Sequence, residues 1–179
     1  MKVIGRTSSF QFRGADNMSD SFAALACLVE APGAAREAAL SDFHARWRSD
    51  PLVVDKWFAV QAGSTAEDTF ERVVALTAHP DFTLRNPNRM RALLSTFSQM
   101  NQARFHRADG AAYDFLADQL LELDALNPKT AARLATAFLP WRQFEPRRRA
   151  GLETALRRLS EHDGLSKDVG EVVGKALDG

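Results

Sequence analysis

Phe82-Thr-Leu-Arg-Asn-Pro-Asn-Arg-Met-Arg91 reads as a turn that enters a helix at a defined residue. Asn86 can cap that helix by accepting a backbone N–H. Pro87 suits the first helical position, because the N–H it lacks would have no partner there. Arg89 and Arg91 then fall in the first turns. Cations at this end oppose the helix macrodipole, so helix stability does not account for them. A position that gives up local stability often does so for something outside the helix.

The same start signal recurs along the chain. Asp50-Pro51, Asn127-Pro128 and Glu145-Pro146 each set a polar residue before a proline. Asp50, Asn86 and Asn127 are separated by 36 and then 41 residues. That interval fits two helices and two turns, as in HEAT and armadillo units. Between the starts run apolar stripes at spacings of three and four: Phe22, Leu25, Ala26 and Val29; Leu40, Phe43 and Trp47; Met90, Leu93, Leu94 and Phe97; Tyr113, Leu116, Leu120 and Leu123; Leu152, Leu156 and Leu159. The expected fold is therefore all-α: a superhelical stack of antiparallel helix pairs, an armadillo/HEAT-like α-solenoid of about nine helices. A plain helical bundle would satisfy the same stripes. Residues 16–179 read as one α-helical repeat domain. Residues 1–15 show no helical period and read as an extended lead-in or a cloning remnant.

A chain of 179 residues suits one domain with a substantial core. Lysine plus arginine equals aspartate plus glutamate, 23 each, so net charge argues for neither nucleic acid nor an anionic membrane. The single cysteine, Cys27, excludes an internal disulfide and reads as a small buried apolar residue. No apolar run approaches the ~18 residues of a membrane span, and no signal-peptide core is visible, so a cytoplasmic location is expected.

Catalytic constellations are missing from the sequence. It contains no H-E-x-x-H pair, no G-x-S-x-G elbow and no glycine-rich phosphate loop. His44, His79, His106 and His162 are scattered, none with another at i+3 or i+4, so no metal site is assigned. Asp114, Asp118 and Glu122 read as a solvated face that needs a cation opposite it. Arg142, Arg147, Arg148, Arg149, Arg157 and Arg158 read as a solvated or docked helix face. Trp57, Phe58 and Phe82 suit a core or an interface, and Asp55-Lys56 an ordinary surface pair.

By residue type Arg89 and Arg91 suit a surface or salt-bridge role; arginine's planar fork also suits bidentate carboxylate recognition, which makes them candidates for a cavity. Arg133 is the parallel case, one and a half turns into Asn127-Pro-Lys-Thr-Ala-Ala-Arg133. If the helices pair, similar starts set Arg91 and Arg133 on the same edge of the layer.

Three segments in order, Asp50-Pro-Leu-Val-Val-Asp-Lys-Trp-Phe58, Asn86-Pro-Asn-Arg89 and Phe105-His-Arg-Ala-Asp-Gly-Ala-Ala-Tyr113, carry a resemblance. Together they resemble the C-terminal helical domain of bacterial aminopeptidase N, the zinc-dependent alanyl aminopeptidase family, from about Asp16 onward. The resemblance implies a non-catalytic domain that caps the active site and encloses a cavity through which peptides enter. The positions of Arg91, Lys129 and Arg133 would line that cavity on the prime side of the scissile bond. Family members commonly carry glutamine at the position of Lys129. Asn86 and Arg89 would shape the helix start beside the cavity. The zinc would sit in a separate catalytic domain, so this chain alone is expected to hold no cofactor, to bind no stoichiometric zinc and to lack peptidase activity. Implied partners are the catalytic domains of the same polypeptide and peptide substrates. A homodimer could form through an exposed docking face around Trp47, Trp57 and Phe58. The alternative is a stand-alone helical-repeat scaffold for protein interaction. A reading frame that continues upstream into a zinc-binding segment would discriminate the two.

Overall fold

The computed structural model describes residues 12, 14 and 17–178, and every regular element among them is helical. In order they are α1 (Met18–Leu28), α2 (Ala34–Trp47), α3 (Pro51–Ala62), α4 (Thr69–Thr77) and α5 (Pro87–Met90). A π-helix over Arg91–Met100 continues α5. Then come α6 (Gln102–Phe105), α7 (Ala111–Leu126) and α8 (Pro128–Ala135), the last continued by a 3-10 turn over Thr136–Gln143. The chain closes with α9 (Pro146–Ser160) and α10 (Lys167–Asp178).

All four polar–proline pairs start helices. Asp50 accepts the N–H groups of Leu52 and Val53, and Asn86 those of Asn88 and Arg89. Asn127 accepts from Thr130, and Glu145 from Arg147 and Arg148. In each case the proline takes the first helical position, where its missing N–H costs nothing. Replacing such a cap by alanine costs about 1 kcal/mol.

Helices pack mainly on their sequence neighbours. α1 lies on α2, α2 on α3, and α3 on both α4 and the π-helix. In the second half α7 packs on α8 and α9, and α10 on α8 and α9. Nearest-neighbour burial of this kind makes a stack of helix pairs rather than a single-layer bundle. One apolar cluster runs through it, from Leu25 and Phe43 through Phe58, Phe97 and Phe105 to Phe138, Leu156 and Val173. No helix among the described residues is long and apolar enough to cross a membrane.

Several readings need correction. Cys27 is exposed. The buried face of α1 is Ala24, Leu25 and Leu28, and two residues beyond Leu25 the helix has turned about 200°, to the solvent side. Trp57 and Phe58 do not form an exposed docking face: they are 6% and 0% exposed. The Trp57 indole donates to the Leu40 carbonyl at 2.9 Å, which satisfies its N–H inside the core. Trp47 is partly buried against the same cluster. The large apolar side chains left exposed among the described residues include Leu52 and Met100 instead. Asp55 is no surface partner of Lys56; its carboxylate is taken by Arg89. The expected extended lead-in falls mainly outside the described residues. Phe12 and Gly14, the two described there, are helical, and Phe12 is buried in the core.

Candidate functional site

Arg89 and Arg91 are two residues apart on a helix, so they point in roughly opposite directions. Arg89 faces inward. Its Nε donates to Asp55 Oδ1 at 2.5 Å and its Nη1 to the Asp81 carbonyl at 2.6 Å. The guanidinium also lies 5.0 Å from the centre of the Phe58 ring. One side chain thereby ties α3, the turn after α4 and the start of α5 together.

Arg91 therefore faces outward. It opens the π-helix, in which Asn101 N–H bonds back to Thr96 five residues earlier. Ten residues of π-helix is unusual, since the form occurs mostly as single turns and often at functional sites. Its wider turn buries Leu93, Leu94, Phe97 and Ser98 and leaves Arg91, Gln99 and Met100 exposed. These three, with Asn88 and with Asp55 and Lys56 from α3, line an open groove of about 440 Å³. Arg91 Nη1 donates to Asn88 Oδ1 at 3.2 Å. The groove thus offers a mostly apolar floor with Ala59, Ala92 and Met100, rimmed by two cations, one carboxylate already occupied by Arg89, and amide groups. That mixture suits a peptide segment better than a charged cofactor.

Gln99 links this groove to α8. Its Nε2 donates to the Arg133 carbonyl at 3.1 Å and to Thr136 Oγ1 at 3.2 Å. Lys129 and Arg133 are both exposed and four residues apart, so they share one face of α8. A like-charge pair at that spacing mildly destabilises its helix. The structure brings Arg91 and Gln99 into one groove and sets Arg133 beside Gln99 through its backbone. Lys129 and Arg133 do not line the groove itself. Asn86 acts as the cap and Arg89 as the internal clamp.

The third quoted segment, Phe105–Tyr113, is built inward. Gly110, at φ 76, takes the left-handed conformation that turns the chain into α7. His106 Nδ1 and the Tyr113 hydroxyl lie 3.0 Å apart and buried, and the Phe144 ring covers His106 with centroids 4.0 Å apart. Arg148 Nε donates to the His106 carbonyl at 2.6 Å. Burial, and secondarily the Arg148 charge, push the His106 pKa down to about 4. Burial pushes the Tyr113 hydroxyl up to about 12. A Cβ on Gly151 would meet the Tyr113 ring at 3.2 Å, so a larger residue there requires the ring to shift by a few tenths of an ångström.

The expected cation opposite the acidic face of α7 is Arg158, which donates to Asp118 Oδ1 at 2.7 Å and to the Asp114 carbonyl. Much of the basic run is likewise engaged: Arg142 on the Ala176 and Leu177 carbonyls, Arg157 on Glu153. The sequence reading missed one grouping. His44 on α2 meets His79 and Asp81 in the turn after α4. The only signal was the pairing of their helices, because His44 stands 35 residues from His79.

The family model described as "Domain of unknown function (DUF3458_C) ARM repeats" matches residues 3–178. The chain is 50% identical over 166 residues to "Aminopeptidase N" of Caulobacter vibrioides, covering 93% of this chain and 19% of that protein. Aminopeptidase N of Haemophilus influenzae is 40% identical over 166 residues and that of Escherichia coli 38% over 169, again 19% of each protein. Among solved structures, the crystal structure of Legionella pneumophila aminopeptidase A in complex with aspartic acid matches with a TM-score of 0.90 at 35% identity, over 97% of this chain and 20% of that one. The chain spans about a fifth of the length of these relatives.

Proposed function

This chain belongs to the DUF3458_C ARM-repeat family, and on that premise we propose that it is the non-catalytic C-terminal domain of a zinc aminopeptidase. In this reading it caps the active site, lines the route by which peptides enter, and helps position them for removal of the N-terminal residue. The observation that carries it is the extent of the likeness: nearly the whole chain corresponds to a fifth of aminopeptidase N.

The chemistry divides accordingly. Zinc held by the catalytic domain of the same polypeptide would polarise the scissile carbonyl and activate water. The residues of this chain would hold the far end of the peptide. Arg91 on the groove, with Lys129 and Arg133 on α8, offers guanidinium and ammonium groups to a peptide carboxylate. The buried Asp55–Arg89 pair would keep the groove wall from collapsing when a ligand enters. Contacts remote from the reacting atoms raise the rate only when they favour the reactive geometry. A cytoplasmic location fits the same reading.

The purified 179-residue chain should not turn over aminoacyl anilides, with or without added Zn²⁺. Turnover that disappears on adding a chelator would overturn the assignment of catalysis to another domain.

A further inference from the structure

We propose that His44, His79 and Asp81 form a binding site for one Zn²⁺ ion. His44 Nε2 lies 2.6 Å from Asp81 Oδ2, and His79 Nδ1 lies 4.0 Å from the same oxygen. One donor atom from each residue lies within 4.8 Å of the other two. Tetrahedral zinc with ligands at about 2.0–2.1 Å requires neighbouring donors about 3.3 Å apart. The two separations from Asp81 bracket that value; side-chain rotation brings the three donors onto one ion, which takes the place of the proton shared by His44 and Asp81.

The donor chemistry selects the ion. Two imidazoles and a carboxylate suit zinc, whereas calcium and magnesium favour all-oxygen sites. His79 Nδ1 accepts the Asp81 backbone N–H at 3.1 Å, so its lone pair is unprotonated and turned toward the Asp81 segment. That is the form of imidazole that binds a metal, with the ion displacing the Asp81 N–H from this lone pair.

The surroundings hold the donors in place. The Trp57 ring packs 4.8 Å from the His44 ring and 5.2 Å from the His79 ring. Phe58 meets the His79 ring at 5.6 Å. Arg89 anchors the Asp81 carbonyl from behind, and its own charge is matched by Asp55. Such a shell fixes the ring orientations and limits solvent access to the site. The side chains of His44, His79 and Asp81 retain 21%, 27% and 43% exposure, which leaves a fourth position for water. The ion would join α2 to the turn after α4. This departs from the sequence expectation that the chain binds no zinc, which rested on the catalytic zinc lying in a separate domain. It does not depend on the aminopeptidase reading, because none of the three residues serves the groove.

The test is titration of the chelator-stripped chain with ZnCl₂ by calorimetry, with CoCl₂ as a spectroscopic probe. Binding of one equivalent with a Kd of about 1 μM or tighter is expected, and an intense visible band of four-coordinate cobalt. Asp81→Asn and His79→Gln should each weaken binding at least about tenfold, which at 1.4 kcal/mol per decade marks a lost ligand. His162→Gln, outside the cluster, should bind as the parent does. Far-UV circular dichroism of each variant separates lost ligands from lost fold. No binding at about 100 μM Zn²⁺, a weak six-coordinate cobalt spectrum, or undiminished binding in both folded ligand variants would overturn the site.

Discussion

Replacing Arg89 by alanine should lower the free energy of unfolding by about 3 kcal/mol or somewhat more. The guanidinium is 7% exposed and its partner Asp55 16%. Removing it leaves a carboxylate with little water, and breaking such a pair costs about 3–5 kcal/mol. The lower end applies because Asp55 borders the open groove and can recover some hydration. The same substitution removes the hold on the Asp81 carbonyl and the contact with the Phe58 ring. Arg89→Lys should recover only part of the loss, since one ammonium cannot reproduce the rigid fork that serves Asp55 and Asp81 together. Urea denaturation measures it, and a loss below about 1 kcal/mol would remove Arg89 from the framework.

The second large effect is acid sensitivity centred on His106. Its folded pKa is near 4 against an ordinary 6.5, and the residue is 7% exposed. Between those values the unfolded chain binds a proton that the folded chain refuses. Each pH unit of acidification there costs the folded state about 1.4 kcal/mol. This contribution is fully present above pH 6.5, declines as pH falls toward 4 and then levels, a total of about 3 kcal/mol. Glu37, Asp68, Glu71 and Asp109 are held below their ordinary values of 3.8–4.5 by arginine partners. Their stabilisation is lost only on further acidification, so the two windows separate. His106→Gln should reduce the slope of the stability profile between pH 6.5 and 4.5, leaving the part due to His79, whose pKa burial also lowers. An unchanged slope in that variant would show that some other group titrates.

Much of the fold was legible because its signals are local. A side chain that caps and a proline that lacks an N–H act within three residues, so Asp50, Asn86, Asn127 and Glu145 announced their helices directly. The inward course of Arg89 was not legible. It depends on Asp55, which arrives from another helix 34 residues away. The π-helix has no sequence signature either, since Arg91–Met100 carries ordinary helical spacings. The docking face expected around Trp57 does not form, because the indole packs into the core and the Leu40 carbonyl accepts its N–H there. Of the candidate site, Arg91 and Arg133 came from their parallel helix starts and Lys129 only from the family resemblance; all three are exposed. The tie from Gln99 to Arg133 required knowing which helices touch. His44, His79 and Asp81 were invisible for the same reason.

The role of the cationic edge is tested most directly in the aminopeptidase that contains this segment. Arg91→Ala and Arg133→Ala variants would be compared with the parent on a tetrapeptide and on an alanyl anilide. If these side chains hold the far end of a peptide, kcat/KM for the tetrapeptide falls at least about tenfold while the anilide changes less than about twofold. Equal losses on both substrates, or an unchanged tetrapeptide rate in both variants, would contradict a substrate-positioning role for this domain.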